Sequence, residues 1–173
     1  IHVVDGGSAS WTMIAKDGKM YVSSGASAYD TRVDVGGELY ISSGASAREV
    51  RVNKDGSVYV DSGAWVDYVR AIKGADLHLT VAQDTYVYGY LNYDSNGYTS
   101  SSGFCISSGI LSGYNVVENG SLNVLSGGIV SSVTVEKDGE IYINSGAQAD
   151  MLTAQKGGEI YVSSGASIHS ATR

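Results

Sequence analysis

One phrase returns through this chain at a fixed step. It reads most cleanly as Gly37-Glu38-Leu39-Tyr40-Ile41-Ser42-Ser43-Gly44-Ala45, and recurs as Gly18–Ala26, Gly56–Ala64, Gly139–Ala147 and Gly158–Ala166. Looser copies lie at Ser102–Ile110 and Gly120–Gly128. The step is 19 residues from Gly18 to Gly37 to Gly56, and again from Gly120 to Gly139 to Gly158. A period of this size marks units that bury a core only by stacking on their neighbours.

Aligned on the phrase, each unit carries an apolar–variable–apolar triplet. The triplets are Ile1-His2-Val3, Met20-Tyr21-Val22, Leu39-Tyr40-Ile41, Val58-Tyr59-Val60, Leu77-His78-Leu79, Phe104-Cys105-Ile106, Leu122-Asn123-Val124, Ile141-Tyr142-Ile143 and Ile160-Tyr161-Val162. This is the period-two pattern of a short strand with one buried face. Ser-Gly-Ala follows as a corner, then a second alternating stretch such as Ala45-Ser46-Ala47 and Val50-Arg51-Val52. The unit closes on Asp17-Gly18, Gly36-Gly37, Asp55-Gly56, Asn119-Gly120, Asp138-Gly139 or Gly157-Gly158, all strong turn signals. No stretch keeps helical apolar spacing over eleven residues.

A sandwich or antiparallel barrel also uses short strands, but neither needs residue identity to return every 19 positions. A solenoid does, because equivalent residues stack. The expected fold is therefore all-β: a single-stranded β-solenoid (β-helix) over residues 1–173, with about nine 19-residue coils. At roughly 4.8 Å per stacked strand it would be a rod about 43 Å long. Leu39, Ile41, Ala47, Val50 and Val52 should face inward, and Ala26, Ala45, Ala64, Ala147 and Ala166 should line a tight corner.

The triplet centres His2, Tyr21, Tyr40, Tyr59, His78, Cys105, Asn123, Tyr142 and Tyr161 should form an outward ladder. Arg32, Arg51 and Arg70 form a second row, and Lys16, Lys54, Lys73, Lys137 and Lys156 a third. Their neighbours Asp17, Asp30, Glu38, Glu49 and Asp55 would offset the repulsion. The period breaks once, where 27 residues separate Ala75 from Ser102. The excess is read as an irregular Tyr-rich insertion at about 82–101, holding Tyr86, Tyr88, Tyr90, Tyr93 and Tyr98. Insertions in solenoids often carry the binding face.

The totals narrow the function classes. A net charge of −7 disfavours nucleic acid and anionic lipid as partners. One cysteine excludes an intrachain disulfide framework and Cys-based zinc sites. No run of 18 apolar residues offers a membrane span. Ile1 enters in repeat register and Arg173 stops partway through a repeat, which reads as a piece of a longer array. His2, His78 and His169 fall several coils apart, no Gly-x-Ser-x-Gly elbow occurs, and the carboxylates are dispersed. The expectation is a protein that is not an enzyme and uses no cofactor or metal.

Units such as Gly44–Gly63, and Ser24-Gly25-Ala26-Ser27-Ala28-Tyr29-Asp30-Thr31-Arg32-Val33-Asp34-Val35-Gly36-Gly37-Glu38-Leu39-Tyr40-Ile41, resemble the AIDA-type repeat of autotransporter adhesins. That pattern runs roughly Ser-Gly-Gly-x-Ala-x-x-Thr-x-Val-x-x-Gly-Gly-x-Leu-x-Val. This chain departs from it in placing Ala for the second corner Gly and in its frequent Tyr. The resemblance covers all but 82–101. It implies a passenger segment exported to the surface of a Gram-negative bacterium, where such proteins mediate adhesion to host cells, self-association and biofilm formation. It also implies O-linked heptose added by a dedicated heptosyltransferase, with Ser23, Ser42, Ser107, Ser163, Ser27, Ser46 and Ser167 as acceptors.

Two further readings stand beside the adhesive rod. One is a carbohydrate-binding module, with the strip of Tyr21, Tyr40, Tyr59, Tyr142 and Tyr161, or the insertion, as a stacking platform for sugar rings. The other, a polysaccharide-active β-helix enzyme, requires two carboxylates converging in one groove.

Overall fold

The computed structural model describes residues 1–91 and 102–172. The first coil holds β1 (His2–Val3), β2 (Ser8–Ser10) and β3 (Met13–Ile14). The next four are β4 (Lys19–Val22) with β5 (Ser27–Val33), β6 (Glu38–Ile41) with β7 (Ser46–Val52), β8 (Ser57–Val60) with β9 (Trp65–Ala71), and β10 (Asp76–Val81) with β11 (Tyr86–Leu91). An irregular stretch adds β12 (Ser102–Ile106), β13 (Ile110–Ser112) and β14 (Asn115–Val116). Three coils complete the rod: β15 (Ser121–Val124) with β16 (Ile129–Val135), β17 (Glu140–Ile143) with β18 (Gln148–Ala154), and β19 (Glu159–Val162) with β20 (Ser167–Ile168) and β21 (Ala171–Thr172).

The fold is the expected all-β solenoid. One straight face is a parallel sheet in the order β1-β4-β6-β8-β10-β15-β17-β19. Its inward residues Met20, Leu39, Val58 and Leu77 are buried and stack from coil to coil, and Leu79, Leu122 and Ile141 form a further buried stack. Ala26, Ala45, Ala64 and Ala147 are buried at the corner that follows, where a larger side chain would separate the coils.

The opposite face is kinked, which the sequence does not announce. Midway along it the backbone turns left-handed at Trp11, Asp30, Glu49, Tyr68, Gly113, Ser132 and Met151, with φ from 49° to 69°, while β11 and the last coil carry no such residue. The residues recur at the 19-residue step but share no side-chain type. Each turns the chain enough to slip the strand alternation by one. In β5 the buried positions are Ala28, Thr31 and Val33. A left-handed non-glycine residue costs roughly 1–2 kcal/mol, so the stacked coils on either side must hold this kink.

Among the described residues eight strands stack on the straight face, against the nine coils expected. Phe104-Cys105-Ile106 does not form a coil strand there, so Cys105 is not in the outward ladder. It lies in β12, which runs antiparallel to β11 with Cys105 opposite Tyr88 and Phe104 opposite Gly89. The cause is the turn after it. At the regular corners only the glycine has positive φ, whereas here Ser108 (50°) and Gly109 (73°) both do, and Ser107 bridges Ile110 in an antiparallel pair. That is a type I′ reversal. Ile110 stands where the other corners carry a small residue, and it is 52% exposed. The register expected for Asn123 also shifts, since β10 is six residues long and pairs Thr80, not a ladder residue, with Asn123.

The segment 82–101 is thus regular at its start. Tyr86–Leu91 lies parallel on β9, with one register shift between Tyr88 and Gly89. Tyr93 and Tyr98 lie outside the described residues. β11, β12 and β13 form a meander spliced into the kinked face, while β10 pairs directly with β15 on the other side. The interior at this level is filled by the chain's only phenylalanine, Phe104, packed edge-on against Tyr114 at 5.1 Å. Both rings are buried, and the Tyr114 hydroxyl has no hydrogen-bond partner among the described residues.

Candidate functional site

The straight face carries the expected ladder in its first five coils. His2, Tyr21, Tyr40, Tyr59 and His78 stack with centroids 4.3–4.8 Å apart and planes within 13°. Tyr142 and Tyr161 stack at 4.8 Å in the last two coils. A strand spacing of about 4.8 Å leaves no alternative, because flat rings in register must lie face to face. The consequence is chemical. Inside each stack the ring faces are occupied by neighbouring rings, and His78 and Tyr142, at the stack ends, meet Ser121 and Asn123 on the other side. The ladder therefore offers mainly edges and hydroxyls to solvent rather than a flat platform for a sugar.

The hydroxyls are also engaged. Glu38-Leu39-Tyr40, Glu140-Ile141-Tyr142 and Glu159-Ile160-Tyr161 place a carboxylate and a phenol two residues apart on one strand face, and each tyrosine donates to its glutamate. Those bonds hold the phenols above their ordinary pKa, pushing Tyr161 up to about 12 and also raising Tyr40 and Tyr142. Lys19 pairs with Glu38 at 2.8 Å and keeps that carboxyl below its usual range. The spacing Glu-x-Tyr was visible in the sequence.

Where the ladder ends, His78 Nδ1 lies 2.8 Å from Ser121 Oγ. This serine–histidine contact stands on the outer surface of the sheet, and 43 residues of chain separate its members. Burial holds the imidazole below its ordinary pKa of 6.5, while burial raises Asp76 on the same strand above 3.8. An unfolded chain therefore binds a proton at His78 before the folded one does, so stability should fall as pH drops below about 6.5. Asp76 acts in the opposite sense in the carboxylate range, because there the folded chain binds the proton first. Thermal melts from pH 7 to pH 5 should show the loss, and His78→Gln should flatten it. An unchanged slope in that variant would assign the effect elsewhere.

The kinked face differs. Trp65 stacks on Tyr86 at 5.5 Å, and Tyr68, Tyr88 and Tyr90 pack together with their centroids 5.5–6.1 Å apart. Tyr88 and Tyr90 share a hydroxyl contact of 2.5 Å that pushes Tyr88 up to about 12. Arg70 lies 5.0 Å over the Tyr68 ring. The arginine row is in register as expected, and carboxylates of the preceding coil offset it: Asp30 pairs with Arg51, and Glu49 with Arg70 at 2.7 Å. Exposed apolar side chains run the length of this face, namely Trp11, Met13, Tyr29, Trp65, Tyr68, Ile110, Ile129 and Met151. Trp11 is 76% exposed.

Among the tyrosines singled out from sequence, Tyr21, Tyr40 and Tyr59 are half-buried in the ladder, Tyr142 and Tyr161 are exposed, and Tyr86, Tyr88 and Tyr90 lie half-buried on the kinked face. Trp65 and Tyr68 were not singled out, although they precede Tyr86 and Tyr88 by one coil. Of the serines, Ser107, Ser163 and Ser167 are exposed, whereas Ser23, Ser27, Ser42 and Ser46 are half-buried. Among the described residues no group of three or more His, Cys, Asp and Glu side chains is placed to hold a metal, and no helix is long and apolar enough to cross a membrane.

No family model matches the chain, and no curated protein matches it. Among solved structures it is similar to the crystal structure of a TibC-catalyzed hyper-glycosylated TibA fragment. The similarity covers 97% of this chain and 86% of that one, at 19% identity and a TM-score of 0.31.

Proposed function

We propose that this chain is a rigid, non-catalytic segment of a bacterial surface adhesin, and that its kinked face makes the contacts, by adhesion or by self-association. The observation that carries this reading is the distribution of exposed apolar side chains, which follow the kinked face from Trp11 to Met151. Isolated exposed apolar residues are ordinary, but a line of them along one face of a rod is the signature of an interaction surface. The straight face contributes stiffness, since its rings and carboxylates are satisfied by one another.

The resemblance of the repeat to the AIDA type supports export to a Gram-negative cell surface, and the exposed Ser107, Ser163 and Ser167 are the accessible acceptors if a heptosyltransferase modifies the chain. Beads coated with the protein should clump, or bind host cells. Trp11→Ser, Met13→Ser and Met151→Ser together should abolish this without changing the melting temperature by more than a few degrees, because surface substitutions typically cost within about 0.5 kcal/mol each. Absence of clumping and of cell binding in the unaltered protein would reduce the segment to a spacer.

A further inference from the structure

We propose that Trp65 closes one end of a subsite for a neutral hexopyranose on the kinked face. Trp65 pairs in register with Tyr86 on one side and with Ser46 on the other. Its ring lies within 15° of the Tyr86 plane, so one indole face is covered by that tyrosine. The opposite face therefore looks toward Ser46 and, beyond it, Ser27, which continue the same column. Serine side chains are too short to cover an indole, and Trp65 is 46% exposed.

The surroundings suit a sugar better than an apolar ligand. Ser27 and Ser46 provide a floor of hydroxyls about one strand spacing apart. Two residues further along the same strands, Tyr29 and Arg48 form a side wall. Arg48 lies 3.6 Å from Asp67, a donor and an acceptor side by side, as vicinal hydroxyls require. A pyranose would stack its apolar C–H face on the indole and direct hydroxyls to these groups. The net charge of −7 opposes acidic sugars, which favours a neutral one.

This deepens the contact-face reading by giving that face a ligand class. The probes are lactose, maltose and cellobiose, titrated into isotope-labelled protein while the two indole N–H resonances are followed. At least one sugar should shift the Trp65 resonance saturably at millimolar concentration and leave that of Trp11 in place. Trp65→Ala should weaken retention on the matching sugar matrix by about tenfold, roughly the value of one ring stack, and Trp65→Tyr should keep most of it. No saturable shift at Trp65 with any of the three, equal shifts at both tryptophans, or full retention by the folded Trp65→Ala variant would each overturn the site. Bead clumping and cell binding that both fail while the titration succeeds would remove the adhesive reading and leave the subsite standing.

Discussion

Phe104→Ala should split the unfolding of this rod into two transitions. The ring fills the interior where β12 and β13 enter the kinked face, and it packs on Tyr114 and over Gly89, whose missing Cβ would lie 3.2 Å from the Phe104 ring. Removing a buried phenylalanine costs about 3–5 kcal/mol. In a stacked protein that loss falls on one interface rather than on the whole. The five N-terminal coils and the three C-terminal coils would then be joined chiefly by β10 and β15 on the straight face. Calorimetry should resolve two peaks where the unaltered chain gives one. Tyr114→Phe, which keeps the ring and removes an unpaired hydroxyl, should leave the single peak at the same or a higher temperature. One peak in Phe104→Ala, shifted little, would mean that the meander does not couple the halves.

Gly37→Ala should be the most damaging methyl group that can be added at the last residue of the turn closing each coil. A Cβ there would lie 2.4 Å from the Ile14 carbonyl oxygen, which already accepts a bond from the Asp34 N–H at 2.9 Å. Both contacts are backbone, so relief requires the coils to separate. A cost of about 3 kcal/mol is expected, or a fall of roughly 6–12 °C in melting temperature for a chain of this size. Gly120→Ala, with its nearest backbone contact at 2.9 Å, should cost clearly less. The chain holds its own comparison at Ala75, which occupies the same turn position with a turn bond of 3.1 Å, against 2.8 Å at Gly37. Equal effects at Gly37 and Gly120 would contradict this grading.

The period, the inward residues, the alanine corner and the ladder as far as His78 were legible in the sequence, because stacking forces equivalent positions to share chemistry. The left-handed kink was not. Trp11, Asp30, Glu49, Tyr68, Ser132 and Met151 have no common side-chain property, and the backbone there is imposed by the coils above and below. The reversal at Ser108-Gly109 was hidden by its likeness to a regular Ser-Gly corner, and the available signal was the bulk of Ile110. Use of the tyrosine strip as a sugar platform meets a geometric limit. Rings spaced by about 4.8 Å inside a stack cannot offer their faces to a ligand, since each face already meets the next ring. Trp65 differs from the inner rings of the ladder in meeting a serine on one side.

The division of labour between the two faces can be tested by blocking each in turn. With Cys105→Ser as background, a single cysteine at Met151 on the kinked face or at Lys19 on the straight face would be coupled to a polyethylene glycol chain. Both positions are exposed, and neither lies in the core. Bead clumping or cell binding should be lost when the polymer sits at position 151 and retained when it sits at position 19. Loss at position 19 with retention at position 151 would make the tyrosine ladder the contact surface and contradict the account.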